Sequence, residues 1–164
     1  MNRRTLMTTA VGTTALAMLP VAVLAQSAGA ATDEAKLPAL LNGNFSTATS
    51  QIAKRKASSP AVRNFADMEI KEQAAVAKAF GAAPGATEIP ADKAPMLDQL
   101  NAAEGAAFDA MYIDGQIAGH RELLRIHEAY ARSGQDPMAR GASIVGVTGI
   151  ETHLFLLENI RRQI

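Results

Sequence analysis

Residues 106–132, AAFDAMYIDGQIAGHRELLRIHEAYAR, separate into two sides when wound at about 100° per residue. Asp114, Arg121, Glu122, Arg125, Glu128 and Arg132 form a solvated side. Phe108, Tyr112, Gly119, Leu123, Ile126 and Tyr130 line one edge of the opposite side, and Ile113, Ile117 and Leu124 line the other. Between those edges, down the middle of the apolar arc, run Asp109, Gln116, His120 and His127. A buried polar group without a partner costs roughly 1–3 kcal/mol. A whole line of them predicts a long helix with polar partners facing it.

The same pattern recurs along the chain. Residues 37–57 read as a helix whose buried face is Leu37, Leu41, Phe45, Ala48 and Ile52, with Asn42, Ser46, Ser50 and Lys54 turned outward. Ser58-Ser59-Pro60 is a start signal, Ser59 as cap and Pro60 in the first turn. A second helix then runs to about Phe80. Val62, Phe65, Ala66, Ile70, Val76, Ala77 and Phe80 make its apolar arc, with Glu69 and Gln73 at the centre and Glu72 at the edge. Residues 81–93 read as a Pro/Gly-rich loop and 95–102 as a short helical piece. The long helix ends at Ser133-Gly134, where Gly134 suits a left-handed cap. Asp136-Pro137 opens a last helix to about Arg162. Its inner side is predicted as Met138, Ala139, Ala142, Val145, Ile150, Leu156, Leu157 and Ile160, centred on His153. Gly146 and Gly149 fall on that side and suggest close packing or a bend. The expected fold is all-α: an antiparallel four-helix bundle spanning 37–164.

Composition narrows the function. The chain of 164 residues has a formal charge of zero, so no nucleic-acid footprint is visible. It has no cysteine, which excludes disulfides and thiolate-bound metals. Arg3 and Arg4 precede an apolar stretch diluted by Thr and Gly, and Val23-Leu24-Ala25 offers a cleavage site, with Ala28-Gly29-Ala30 as a second. Residues 1–25 therefore read as a secretory signal, and 26–36 as a flexible leader. The arginine pair followed by Thr5-Leu6-Met7 is similar to a twin-arginine signal, the general secretory route being the alternative. The expected location is the periplasm or outside the cell, with no membrane span once the signal is removed.

Carboxylates and imidazoles projecting into a helical core are the usual way such folds hold iron or manganese. Glu-x-x-His on two helices would mark a two-metal site. It is absent, since Ile117, Leu124 and Ile150 stand three residues before His120, His127 and His153. One ion held by Glu69, His120 and His153, with Asp109, is the metal reading. The other reading is a hydrogen-bond network through Glu72, Gln73, Tyr112 and Gln116, with Gln73 or Gln116 on His120 and Glu69 on His153. His127, two turns beyond His120, is expected outside any common cluster and partly exposed beside Tyr130. No phosphate loop, dinucleotide fingerprint or nucleophile elbow occurs.

The run Ala57-Ser58-Ser59-Pro60-Ala61-Val62-Arg63-Asn64-Phe65-Ala66, then Phe108-Asp109 with Tyr112, Gln116 and His120, then His153-Leu154, resembles the ferritin-like family catalogued as domain of unknown function 4142. The resemblance spans roughly residues 37–160. It implies an exported, mostly bacterial, ferritin-like four-helix bundle without an established activity. Many members carry Asp-His late in the second helix, where this chain has Glu72-Gln73, and Leu-Pro before the last His, where it has Val147-Thr148. The replaced ligand argues against metal. The leading expectation is thus a non-catalytic periplasmic protein that binds a small ligand or envelope partner or serves in envelope stress. Iron or manganese handling is the alternative, and an interaction module, marked by an exposed apolar patch, the third.

Overall fold

In a computed structural model, residues 33–164 are described, and the expected signal and most of the leader lie outside them. After a 3-10 turn at Glu34–Lys36 come α1 (Leu37–Lys56), α2 (Pro60–Ala79), α3 (Ala94–Ala102), α4 (Gly105–Ser133) and α5 (Pro137–Arg161). No strand occurs among the described residues. The four long helices match the periodic segments of the sequence, and α3 is the short piece between the loop and α4. No described helix is long and apolar enough to cross a membrane.

α1 packs on α2 and α4, and α5 packs on α4 and α2, so the long helices close a ring. α3 lies against α1 and α4. The core has two apolar parts. One gathers Ile52 and Ala53 from α1, Val62 and Phe65 from α2, Phe108 and Tyr112 from α4, and Leu157 and Ile160 from α5. The other gathers Ala39, Phe80, Tyr130 and Ala139. Along every long helix buried polar residues fall between these two groups: Ser46 and Ser50, Glu69 and Gln73, Gln116 and His120, Ser143 and His153, while Asp109 lies beside Phe108. A polar layer therefore separates two hydrophobic cores.

Two helix faces differ from expectation. On α1, Asn42, Ser46 and Ser50 are buried, while Leu37 is exposed. The hydroxyls turn inward because the polar layer supplies them with partners, which offsets the cost of their burial. On α5, Ala139, Ser143, Ile150, His153, Leu157 and Ile160 face inward, leaving Met138 and Val145 about 70% exposed (69% and 73%), together with Ile144 and Phe155. The inward residues are spaced by three, four or, between Ser143 and Ile150, seven, all on one helical face, and Met138 and Val145 sit outside it.

The helix ends also differ in part. Asp136 caps α5 as expected, accepting from the Met138 and Ala139 amides at 2.9 and 3.1 Å. Ser59 makes no side-chain cap. Gly134 sits at φ −60°, not in the left-handed region. Glycine is needed there because a Cβ would lie 2.2 Å from the Tyr130 ring and 2.6 Å from the Tyr130 carbonyl. Neither Gly146 nor Gly149 is compelled in this way. A methyl there would make ordinary contacts of 3.5 Å with His127 and 3.4 Å with Glu72.

Candidate metal centre

Three of the four long helices converge at the middle of the polar layer. Glu69 of α2, His120 of α4 and His153 of α5 are 0%, 1% and 6% exposed. One ligand atom from each forms a nearly equilateral triangle. Glu69 Oε2 lies 3.3 Å from His120 Nε2 and 3.5 Å from His153 Nδ1, and the two nitrogens are 3.3 Å apart. Phe65 packs against both rings, with centroids 5.8 and 5.5 Å away.

The outer atoms of each ring set its tautomer. His120 Nδ1 is 2.9 Å from the Gln116 carbonyl. A carbonyl only accepts, so Nδ1 carries the proton and Nε2 turns a lone pair toward Glu69. His153 Nε2 is 3.2 Å from the Glu72 carboxylate. By the same reasoning Nε2–H donates outward and Nδ1 faces the centre. Two imidazole lone pairs and a carboxylate oxygen thus point at one another when both rings are neutral. Glu69 Oε2 is the buried side-chain atom left without a hydrogen-bond partner among the described residues. Such convergence of acceptors needs a positive species among them, either a proton or a metal ion.

Without metal, the proton resides on His153. Burial pushes its pKa down, but hydrogen bonds and charge from Glu69 and Glu72 overcome this and hold it up at about 9. For Glu69, burial pushes the carboxyl up, and the two imidazoles and the Ser46 hydroxyl outweigh it, leaving the group well below the usual carboxylate range. The signs fix a pH profile. His153, raised above its ordinary 6.5, stabilises the fold fully below about pH 6.5, and that contribution is lost as pH rises toward 9. Glu69, lowered from 4.5, contributes above about pH 4.5 and less as pH falls. Metal-free protein is therefore expected to melt highest between about pH 4.5 and 6.5 and to lose roughly 1–2 kcal/mol by pH 9. Thermal melts in chelator check this; a flat profile from pH 6.5 to 9 contradicts a protonated His153.

The remaining expected residues support the triangle or stand apart from it. Glu69 Oε1 accepts from Ser46 Oγ at 2.6 Å and from Gln73 Nε2 at 2.9 Å. Ser46 Oγ is also 2.9 Å from Gln116 Oε1, but its single proton goes to the charged acceptor. Gln116 Nε2 donates to Thr49 Oγ1 at 2.9 Å, and Tyr112 pairs with Ser50 at 2.9 Å. Neither glutamine amide meets His120, whose partner on α4 is the Gln116 backbone. Gln73 has room for its amide because residue 43 is glycine; a Cβ there would stand 2.5 Å from Gln73 Oε1.

Asp109 does not join the cluster. It precedes His120 by three turns, about 16 Å along α4. Its carboxylate accepts from the Ser58 and Ser59 amides at 3.0 and 2.8 Å, tying α4 to the turn that leads into α2. His127 stands outside the cluster, as its spacing predicts, but is 2% exposed rather than partly exposed. Its Nδ1 meets Ser143 Oγ at 3.1 Å. Burial pushes its pKa down, against the opposing charge of Glu72. The residues that sequence reasoning missed are Ser46, Thr49 and Ser50. The available signal was the unanswered need of Glu69, Gln116 and Tyr112 for partners on the facing helix.

A family model described as Domain of unknown function (DUF4142) matches residues 19–160. No curated protein and no solved structure matches the chain.

Proposed function

Since the chain belongs to the DUF4142 family, whose function is unknown, we propose that it is an exported, ferritin-like four-helix bundle that holds one divalent transition-metal ion between Glu69, His120 and His153. The order of the two apolar cores supports the bundle reading. α1 and α5 pass from the Ala39–Ala139 core to the Ile52–Leu157 core, and α2 and α4 pass the opposite way. Neighbours in the ring then run antiparallel, and the connection carrying α3 joins two parallel helices across it, the single long crossover of ferritin-like folds. Arg3, Arg4 and the apolar run to Ala25 support export. Removal of the signal leaves a formal charge of −2.

The observation that carries the metal reading is the orphaned Glu69 Oε2 facing two imidazole nitrogens whose tautomers are fixed from outside. A point equidistant from the three atoms lies about 1.9 Å from each, against usual metal–nitrogen and metal–oxygen distances of about 2.0–2.2 Å. An ion slightly out of their plane fits without moving a helix. The outer contacts, carbonyl on His120 and carboxylate on His153, are those that orient metal-bound histidines elsewhere. Near-complete burial of the donors supports holding an ion rather than turning over a substrate.

Elemental analysis of protein purified without added metal tests this. About one equivalent is expected in the wild type and none in Glu69→Gln, an isosteric variant that keeps an acceptor for Ser46 and Gln73. Metal restored to stripped wild type at a hundredfold excess over Kd is expected to add about 2.7 kcal/mol of stability. Metal-free protein whose Tm ignores zinc, iron and manganese alike overturns the reading.

A further inference from the structure

We infer that the ion in this site is four-coordinate, and that the protein accordingly selects zinc over iron, manganese and nickel. The inference rests on the one-ion reading above and concerns which ion the same three residues prefer. Its first support is the shape of the donor triangle, with sides of 3.3, 3.3 and 3.5 Å. Ligands about 2.0–2.1 Å from a tetrahedral ion are about 3.3–3.4 Å apart. At the same bond lengths, adjacent ligands of an octahedral ion are only about 2.8–3.0 Å apart. The triangle is therefore one face of a tetrahedron already formed by the helices.

The second support is the number of donors. Glu69 gives one oxygen, because its other oxygen is occupied by Ser46 and Gln73. That excludes a carboxylate bridge to a second ion. Glu72, the other acid nearby, bonds the far nitrogen of His153 and so is turned away from the centre. Asp109 is committed to the Ser58 and Ser59 amides. An octahedral ion would need three more ligands beside the Phe65 ring that packs on both imidazoles. A tetrahedral ion needs one, and a single water suffices. Two nitrogens and one oxygen with a fourth small ligand is a zinc set; six oxygen-rich ligands suit manganese.

Cobalt(II) reports the geometry directly, since its four-coordinate complexes absorb visible light far more strongly than six-coordinate ones. Stripped protein titrated with cobalt is expected to show strong bands that saturate at one equivalent and are absent in Glu69→Gln. Manganese binds weakly to most sites of this kind, so nickel is the informative competitor: it outranks zinc in the usual affinity order of divalent ions. Here zinc is expected to displace cobalt at least tenfold more effectively than nickel. A saturable but pale, six-coordinate cobalt spectrum, or nickel displacing cobalt as well as zinc does, overturns the selectivity while leaving the metal site standing. Absence of saturable binding by cobalt, zinc and nickel overturns both.

Discussion

Glu69→Leu is expected to cost about 3–5 kcal/mol of stability, because it strips one partner from a buried ion pair and leaves the other in place. Leucine is close in size, so the loss is chemical rather than steric. Ser46 and Gln73 each lose the acceptor they reach at 2.6 and 2.9 Å. The His153 proton loses one of the two charges that hold it, Glu72 being left. Glu69→Gln is expected to cost much less. Its carbonyl oxygen still accepts from Ser46 and Gln73, and its amide hydrogens can meet the inward lone pairs of His120 and His153. The glutamine variant should also show a smaller fall in stability between pH 6.5 and 9, because a neutral amide no longer favours the charged imidazole and only Glu72 still does. Urea unfolding of the two variants at pH 6 and pH 9 checks all of this. Equal losses in both would mean that packing, not polarity, keeps Glu69 in the core.

Phe65→Ala should be comparably damaging, about 3–5 kcal/mol by analogy with other buried aromatic truncations. Phe65 is 1% exposed and touches two environments at once. One edge belongs to the apolar core with Val62, Tyr112 and Leu157. The other covers the imidazoles of His120 and His153. Truncation therefore opens a cavity and lets water reach the donors. Phe65→Leu keeps most of the volume and should cost well under half as much. Loaded protein mixed with a chelator provides the second readout: the alanine variant is expected to release metal roughly 10–100-fold faster, the scale on which outer contacts tune such sites. Unchanged release with lowered stability would assign Phe65 to the core alone.

The long helices were legible because their apolar positions repeat at helical spacing, and the inner line of α4 announced the polar layer. Glu69, His120 and His153 could be grouped from sequence because each lies at the centre of an apolar arc, where a charged or titratable side chain is unexpected. What stayed hidden was the identity of their partners. α1 is weakly amphipathic, and Ser46 and Ser50 look like ordinary solvent-facing residues until the helix is rotated to answer Glu69, Gln116 and Tyr112. Asp109 misled for a related reason. Its place on the inner line is real, but a line on a helix spans many ångströms, and three turns carry it to the turn before α2. His127 was misjudged because its answer, Ser143, sits on α5, and nothing local to α4 reveals it. On α5 itself, hydrophobic residues on both sides blur the inward face, so Met138 and Val145 could not be told from Ile150 and Leu157 by type alone.

The donors are unevenly distributed along the chain. Glu69 comes from the hairpin of α1 and α2, and both imidazoles come from the hairpin of α4 and α5, with residues 81–93 and α3 between. If it holds an ion as proposed, the site would be a cross-link between halves of the molecule, as a disulfide would be in a chain that had cysteines. A backbone cut in that intervening loop would leave two fragments sharing one coordination sphere, and their cohesion would follow the supply of the ion.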